Sequence, residues 1–519
     1  MTAALAMATA GVRTSAPPCA LRLSHRDWLQ DPKGDGVTIR NEIRFLLNDH
    51  ERRLTDVGPA DTLLDHLRLA ERLVGSKEGC AEGDCGACTV LVGRRAQGGL
   101  VYEPVNACIR LLASVDLMHV VTVEHLAADG VLHPVQQAMA DLHGSQCGFC
   151  TPGIVMSLAA LRMRDRAPSE AVIETALQGN LCRCTGYQPI IAAAKAASAD
   201  PRGEALAEGA GEIAARLDAL DDGARVDIAS ATGRVVLPMS VDDLAEVLQA
   251  TPEATIVAGS TDVGLWITKG MRDISPAVFI GNLIGLRGIE VTEAGISFGA
   301  GVSYDEAEGA LAENFPQVIG YWQRIGGWQV RVMGTIGGNI ANGSPIGDAP
   351  PALIALNATL TLRRGAARRT LPLEEFFIDY GKQDRAPGEF VESVFVPRPA
   401  PGTLNAAYKV SKRRDEDISA VACGFHVALE GGTVATARLA YGGMAATPKR
   451  ARAAEAALVG RPWTLETVTA ASTAMAEDFA PLSDWRASAE YRAMVAQNLL
   501  RRFFLETAGE PVRLERAVG

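Results

Sequence analysis

The chain has 519 residues, a net charge of −11, 48% hydrophobic residues and 21% charged ones. That length predicts three or four domains, and the composition is that of a soluble globular protein with ample core. The acidic balance, with dispersed arginines and lysines, argues against a nucleic-acid surface. No apolar run approaches the roughly 18 residues of a membrane span.

In chain order, residues 1–37 open "MTAALAMATAGVRTSAPPCALRLSH" and are Ala/Thr-rich without a basic start. They read as a disordered tail or a mis-assigned start, not a secretory signal. From Thr38, apolar segments around Asn48-Asp49 predict a β-hairpin. Leu63, Leu64, Leu67 and Leu73 then predict a helix over 60–73 with Asp61 as N-cap. With the following cysteine loop and the strand "CTVLVG", residues 38–118 form a small β-grasp domain. Helical patterns dominate 119–200, and the Ala/Gly/Glu-rich 201–224 reads as an interdomain linker. Alternating β-like and helical segments make 225–400 an α+β domain. Beyond the Pro-rich "VPRPAPG", three antiparallel strands and a helical tail make a last domain, 403–515.

The ten cysteines carry the sharpest signal. Cys80-x4-Cys85-x2-Cys88, followed after nineteen residues by Cys108, has the plant-type ferredoxin spacing for a [2Fe–2S] cluster. Gly79, Gly83 and Gly86 let the loop wrap closely and aim N–H groups at sulfur. Zinc favours paired Cys-x2-Cys knuckles, and disulfide scaffolds are short and cysteine-dense. The second quartet, Cys147-x2-Cys150 with Cys182-x-Cys184, reads as a second cluster or a pair of zinc knuckles; Cys-Arg-Cys is an unusual zinc spacing. Thr151 is the expected N-cap and Pro152 the first helical residue, so a positive dipole end faces that site. Thr185-Gly186 offers a similar helix start after Cys184. Cys19 and Cys423 read as unligated thiols, Cys423 buried. Thiolate-bound clusters need a reducing compartment, which points to the cytoplasm.

One-electron centres need a partner that handles electron pairs. "TIVAGSTDVG" and "GTIGGNIANGSPIGD" are glycine-rich loops whose amides and hydroxyls suit phosphate, although alone they are equally ordinary turns. Neither GxGxxG between strand and helix nor GxxxxGK[ST] occurs, which excludes Rossmann and P-loop sites.

"EGCAEGDCGACTV", "GSQCGFCTPG", "GNLCRCTGYQPI", "VAGSTDVGLW", "GTIGGNIANGSPIGD", "KQDRAPGEFVESV" and "YKVSKRRDEDISAV" occur in that order. Together they resemble the small-subunit family of bacterial xanthine dehydrogenases, within the molybdenum hydroxylases, from about Ile43 to Arg513. The resemblance implies a multidomain α+β fold. Its parts are a β-grasp ferredoxin-like domain, a helical-bundle [2Fe–2S] domain, a vanillyl-alcohol-oxidase-type FAD domain and a C-terminal α+β flavoprotein domain. It also implies that Cys80, Cys85, Cys88 and Cys108 hold the cluster nearer the flavin. Cys147, Cys150, Cys182 and Cys184 would hold the one nearer molybdenum. FAD would meet Ile256, Val257, Ala258, Gly259, Ser260, Thr261, Asp262 and Val263 in one loop and Thr335, Gly337, Gly338 and Asn339 in the pyrophosphate loop. Asp348, Val391 and Lys409 match further contacts. Ile325 replaces the family's aromatic beside the flavin, and Tyr380 matches a residue at the nicotinamide approach.

By the same resemblance, hypoxanthine and xanthine are oxidised at a molybdopterin site, and electrons pass through both clusters to FAD and NAD+. The chain ends soon after its flavin portion, so a separate large molybdopterin-binding subunit is expected, in a heterotetramer of two small and two large chains. No nucleic-acid or membrane partner is expected. The alternative is the same relay serving an aldehyde, carbon monoxide or aromatic-acid hydroxylase. Carbon monoxide dehydrogenases of the family carry the two portions on separate chains, so their fusion favours the xanthine enzyme.

Overall fold

The computed structural model describes residues 37–96 and 99–509. The N-terminal domain is a five-stranded mixed sheet, in the order His50–Leu54, Ile43–Leu47, His119–Val121, Thr89–Ala96, Gly99–Asn106. The expected hairpin forms: Ile43–Leu47 pairs antiparallel with His50–Leu54, and Asn48 makes the turn with φ +53°. The helix is shorter than its leucine spacing predicts, with an α-turn over Leu63–Asp65 running into a π-turn over His66–Ala70. Thr62, not Asp61, is its N-cap; the Asp61 carboxylate instead accepts the Gly58 N–H at 2.8 Å. Helices Pro134–Asp141, Thr151–Arg164, Glu170–Ala176 and Gln188–Ala199 form the second domain.

Two boundaries differ from the sequence reading. Ile39–Arg40 pairs parallel with Arg225 and Val226, so the first described strand belongs to a sheet of the third domain. Residues 201–224 are a packed strap, not a linker. Helix Ala210–Leu220 buries Leu217 and Leu220 against Leu46, and Arg95 holds Asp218 at 2.9 Å and Asp221 at 2.7 Å. Two leucines one turn apart were enough to dock a segment whose overall composition is weakly apolar.

The third domain has two five-stranded sheets, one containing Thr255–Val257, the other built around Phe390–Pro397. The C-terminal domain is an antiparallel sheet of four strands, since Lys449–Arg450 joins the expected three, backed by helices Arg452–Leu458, Leu465–Asp478 and Ala489–Thr507. Cys423 is buried in that sheet, as expected; Cys19 and residues 510–515 lie outside the described residues. One hydrophobic cluster runs through the first three domains, from Phe45 through Ile154 to Trp328. Among the described residues, no helix is long and apolar enough to cross a membrane.

Candidate functional site

The first cysteine loop is shaped by its glycines and tied from behind. Gly83 and Gly86 adopt φ +80° and +68°, and a Cβ on Gly79 would lie 2.9 Å from Cys85 Sγ. The N–H groups of Glu82 and Cys85 both point at Cys80 Sγ, each at 3.4 Å. Buried Asn106, which sequence reasoning missed, donates to the Gly83 carbonyl at 2.7 Å and clamps the loop. Its only advance signal is its place two residues before Cys108. Thiol hydrogen bonds from Cys108 and Cys85 hold Cys80 well below the usual thiol range, while Cys85 and Cys108 are pushed up. Cys108 also meets the Cys88 thiol, so the four sulfurs lie together.

The second quartet is gathered by helix starts. Cys150 itself is the N-cap of Thr151–Arg164, one residue ahead of the expected Thr151, whose hydroxyl turns to Ser145 at 2.7 Å. After Cys184 the helix begins at Gln188, with Tyr187 in the left-handed conformation, so Thr185 serves differently: its hydroxyl sits 3.1 Å from Cys182 Sγ. Cys147 pairs with Cys184, and Cys150 with Cys182. Burial and the Cys182 thiol push Cys150 up to about 12. Among the described residues, no group of three or more His, Cys, Asp or Glu side chains, the cysteine quartets included, has the arrangement of a single-ion site. The paired thiols and the N–H groups aimed at sulfur fit two irons taking two thiolates each.

The glycine loops of the third domain line a cavity of about 330 Å³. Ile256, Ala258 through Val263, Thr335, Gly337, Gly338, Asn339 and Val391 all face it. Two features suit it to a polar ligand held close to the backbone. Ser260 Oγ and Asn339 Oδ1 are buried without partners. A Cβ on Gly259 would come within 1.7 Å of the Met333 carbonyl, and one on Gly337 within 2.5 Å of Ala300 Cβ. The Thr335 hydroxyl caps Ile336–Asn342 by accepting the Gly338 N–H at 3.0 Å, which presents a short helix start to the cavity. Asp262 also lines the wall, its carboxyl raised by burial.

The remaining expected contacts lie outside that lining. Val257 points into the core, opposite its strand neighbours, and Ile325 packs in the core of the third domain. Asp348 and Lys409 form a separate buried cluster: Lys409 Nζ meets Asp348 Oδ2 at 2.7 Å and Ser419 donates to Oδ1 at 2.6 Å. This cluster pins the C-terminal sheet to helix Ala349–Ala355. Tyr380 is 74% exposed, on a hairpin whose Gln383 donates to the carbonyl of Asn342 on the cavity wall at 3.3 Å.

Cavity and first quartet adjoin. Helix Thr261–Thr268 runs from the cavity wall to the cysteine loop, where a Cβ on Gly264 would strike Ile109 at 2.8 Å and Lys269 reaches the Cys80 carbonyl at 2.5 Å. Behind the loops, Arg94 binds Glu103 and Glu306, each at 2.7 Å, and so ties the first sheet to the third domain.

Four family models match in succession. They are a 2Fe-2S iron-sulfur cluster binding domain over 46–111, a [2Fe-2S] binding domain over 122–195, an FAD binding domain in molybdopterin dehydrogenase over 229–399, and a CO dehydrogenase flavoprotein C-terminal domain over 406–507. The chain belongs to the molybdenum hydroxylase family. It carries that family's iron–sulfur and flavin electron-transfer relay. The chain is 33% identical to a xanthine dehydrogenase of Emericella nidulans over 89% of its own length and 38% of the relative's. It is 31% identical to a xanthine dehydrogenase/oxidase of Mus musculus, over 90% and 39%. It thus spans about two-fifths of these relatives. A solved carbon monoxide dehydrogenase chain from Hydrogenophaga pseudoflava superposes with TM-score 0.50 at 30% identity, over 52% of this chain and 94% of that one.

Proposed function

We propose that this chain is the electron-transfer subunit of a xanthine dehydrogenase. A large partner chain holds the molybdenum centre, in a cytoplasmic assembly of two small and two large subunits, and NAD+ is the final acceptor. The observation that carries the reading is spatial order: the more exposed quartet joins the more buried one through the Leu181 N–H and Cys85 carbonyl, and helix Thr261–Thr268 joins the latter to the cavity. When bound, two [2Fe–2S] clusters and FAD supply one- and two-electron chemistry; the chain's residues hold, space and insulate them.

In this reading Cys147 and Cys184, both exposed, face the partner. The Cys80 quartet, wrapped in the core and touching the helix Thr261–Thr268, serves the flavin side. Thr335, Gly337 and Gly338 receive the pyrophosphate, where the close backbone leaves no room for side chains. Exposed Tyr380 stands on the hairpin beside the cavity wall and meets the nicotinamide. The Asp348–Lys409–Ser419 cluster, buried behind the cavity, fixes the C-terminal domain against it.

The purine assignment is supported by xanthine dehydrogenases that match over about nine-tenths of this chain. Likeness to a carbon monoxide dehydrogenase chain favours a second reading, the same relay for another hydroxylase, but takes in only 52% of this chain. Purification of the native complex decides. Expected are a large molybdenum-bearing partner, about four irons per small chain, and urate formed from xanthine with NAD+. No urate from xanthine removes the purine assignment. Cys150→Ala should block electron flow from xanthine while leaving NADH-driven dye reduction; loss of both contradicts the proposed order.

A further inference from the structure

Gln329, on helix Trp328–Met333 of the third domain, is 0% exposed yet fully polar. Its Nε2 lies 3.1 Å from Thr89 Oγ1, 3.0 Å from Ser157 Oγ and 2.9 Å from Asn180 Oδ1. Each partner belongs to a cysteine-bearing element. Thr89 follows Cys88, Ser157 lies on the helix capped by Cys150, and Asn180 precedes Cys182 by two residues. Asn180 Nδ2 donates to the Gly86 carbonyl at 3.3 Å, so Asn180 Oδ1 is left to accept, which orients the Gln329 amide. Thr89 Oγ1 donates to the same Gly86 carbonyl at 2.7 Å and is likewise free to accept from Gln329.

Around this amide the three domains close backbone on backbone. A Cβ on Gly86 would lie 2.1 Å from the Gly179 carbonyl, one on Gly153 2.0 Å from the Gly86 carbonyl, and one on Gly327 2.5 Å from Gly179 Cα. The Leu181 N–H donates to the Cys85 carbonyl at 3.0 Å, which joins the two cysteine loops directly. Gln329 Oε1, by contrast, has no hydrogen-bond partner. An aliphatic side chain would remove that unpaired acceptor but would leave buried Asn180 Oδ1 without its donor, so what this position uses is the amide N–H group.

We infer that Gln329 is a positioning residue: its amide, reaching from the flavin-bearing domain, locks both cysteine loops at a fixed separation from each other and from the cavity. The inference rests on the relay reading above. Its force comes from geometry, since a displacement of about 1 Å in a working constellation can cost a hundredfold in rate.

The test uses the full chain in its complex. Gln329→Met removes the amide at similar volume; Ser472→Ala, which deletes a buried hydroxyl bound to the Val468 carbonyl at 2.7 Å in the C-terminal domain, controls for simple stability loss. Gln329→Met should retain iron and flavin. It should also alter the magnetic dipolar splitting between the two reduced iron dimers and slow NADH-driven reduction of the clusters by roughly ten- to a hundredfold. Ser472→Ala should move neither. Where Gln329→Met fails to load both clusters, Ser157→Ala, which deletes one of the three oxygens around Nε2, takes its place under the same criteria. Unchanged splitting overturns the positioning role while leaving the relay intact. Two iron-dimer signals missing from the unaltered complex overturn the relay and, with it, this inference.

Discussion

Cys88 and Cys108 sit inside the β-grasp core at 2% and 3% exposure, whereas Cys147 and Cys184 stand in the open near two helix starts. The first loop is made by the polypeptide: positive-φ glycines, the Asn106 clamp and N–H groups already aimed at Cys80. The second relies on helix ends and hydroxyls, chiefly Thr185 beside Cys182, and leaves one side uncovered. The same ligand chemistry is therefore preorganised in one place and left accessible in the other. A relay needs both, an insulated inner station and an outer one that a partner can approach.

The largest expected effect separates the two stations outright. Cys108→Ala and Cys184→Ala should each halve the iron, from about four to about two atoms per chain. Cys108→Ala should additionally destabilise the N-terminal domain by about 3 kcal/mol or more, because lost metal binding and a core void act together. Cys184→Ala, at the surface, should cost about 1 kcal/mol or less beyond its cluster. Iron assay with thermal melting checks this; equal stability losses would mean that the two loops are built alike.

A glycine pair sharpens the contrast at smaller scale. In Gly83→Ala the Cβ meets Ile109 Cδ1 at 2.4 Å in a backbone of φ +80°, so left-handed strain and overpacking together cost about 3 kcal/mol. Gly186→Ala has a similar φ, +68°, but nothing within 4 Å, which leaves strain alone, about 1 kcal/mol. Iron retention during denaturant titration should fall earlier for Gly83→Ala.

Much of this was legible in advance because spacing and glycine content encode local geometry. The ligand spacing of Cys80 to Cys108 and the glycines of 256–263 and 334–339 are contiguous signals. What sequence hid was non-local. The placing of Ile39–Arg40 in a sheet some 190 residues downstream rests on two backbone pairings. Docking of 201–224 depends on Leu46 waiting for Leu217. Cap positions slipped by a residue because Asp61 and Thr62, or Cys150 and Thr151, are chemically comparable neighbours and only the path of the chain chooses between them. The resemblance offers Lys409 and Asp348 only as flavin contacts, and their pairing across 61 positions belongs to packing between two domains.

The smallest contrast is the response of the two domains to acid. His119, in the first sheet, uses both ring nitrogens: Tyr102 donates to Nδ1 at 2.7 Å, and Nε2–H donates to the Asn48 carbonyl at 2.8 Å. Burial lowers it to about 4, so the folded state holds it neutral. An unfolded chain regains the ordinary value near 6.5 and binds the proton first, so stability present above that value is lost as pH falls from about 6.5 toward 4. At pH 5 the linkage amounts to about 2 kcal/mol. His133 in the helical domain, although it faces the Glu204 carboxylate at 3.1 Å, is likewise lowered to about 4 by burial and by Arg162 and Arg202 nearby. The N-terminal sheet and the helical domain should therefore loosen together between pH 7 and 5, seen as parallel rises in hydrogen exchange in His119–Val121 and Pro134–Asp141. In His119→Gln, a side chain that cannot titrate here, the pH dependence of the first domain should flatten; a slope that survives would assign the acid response to another group.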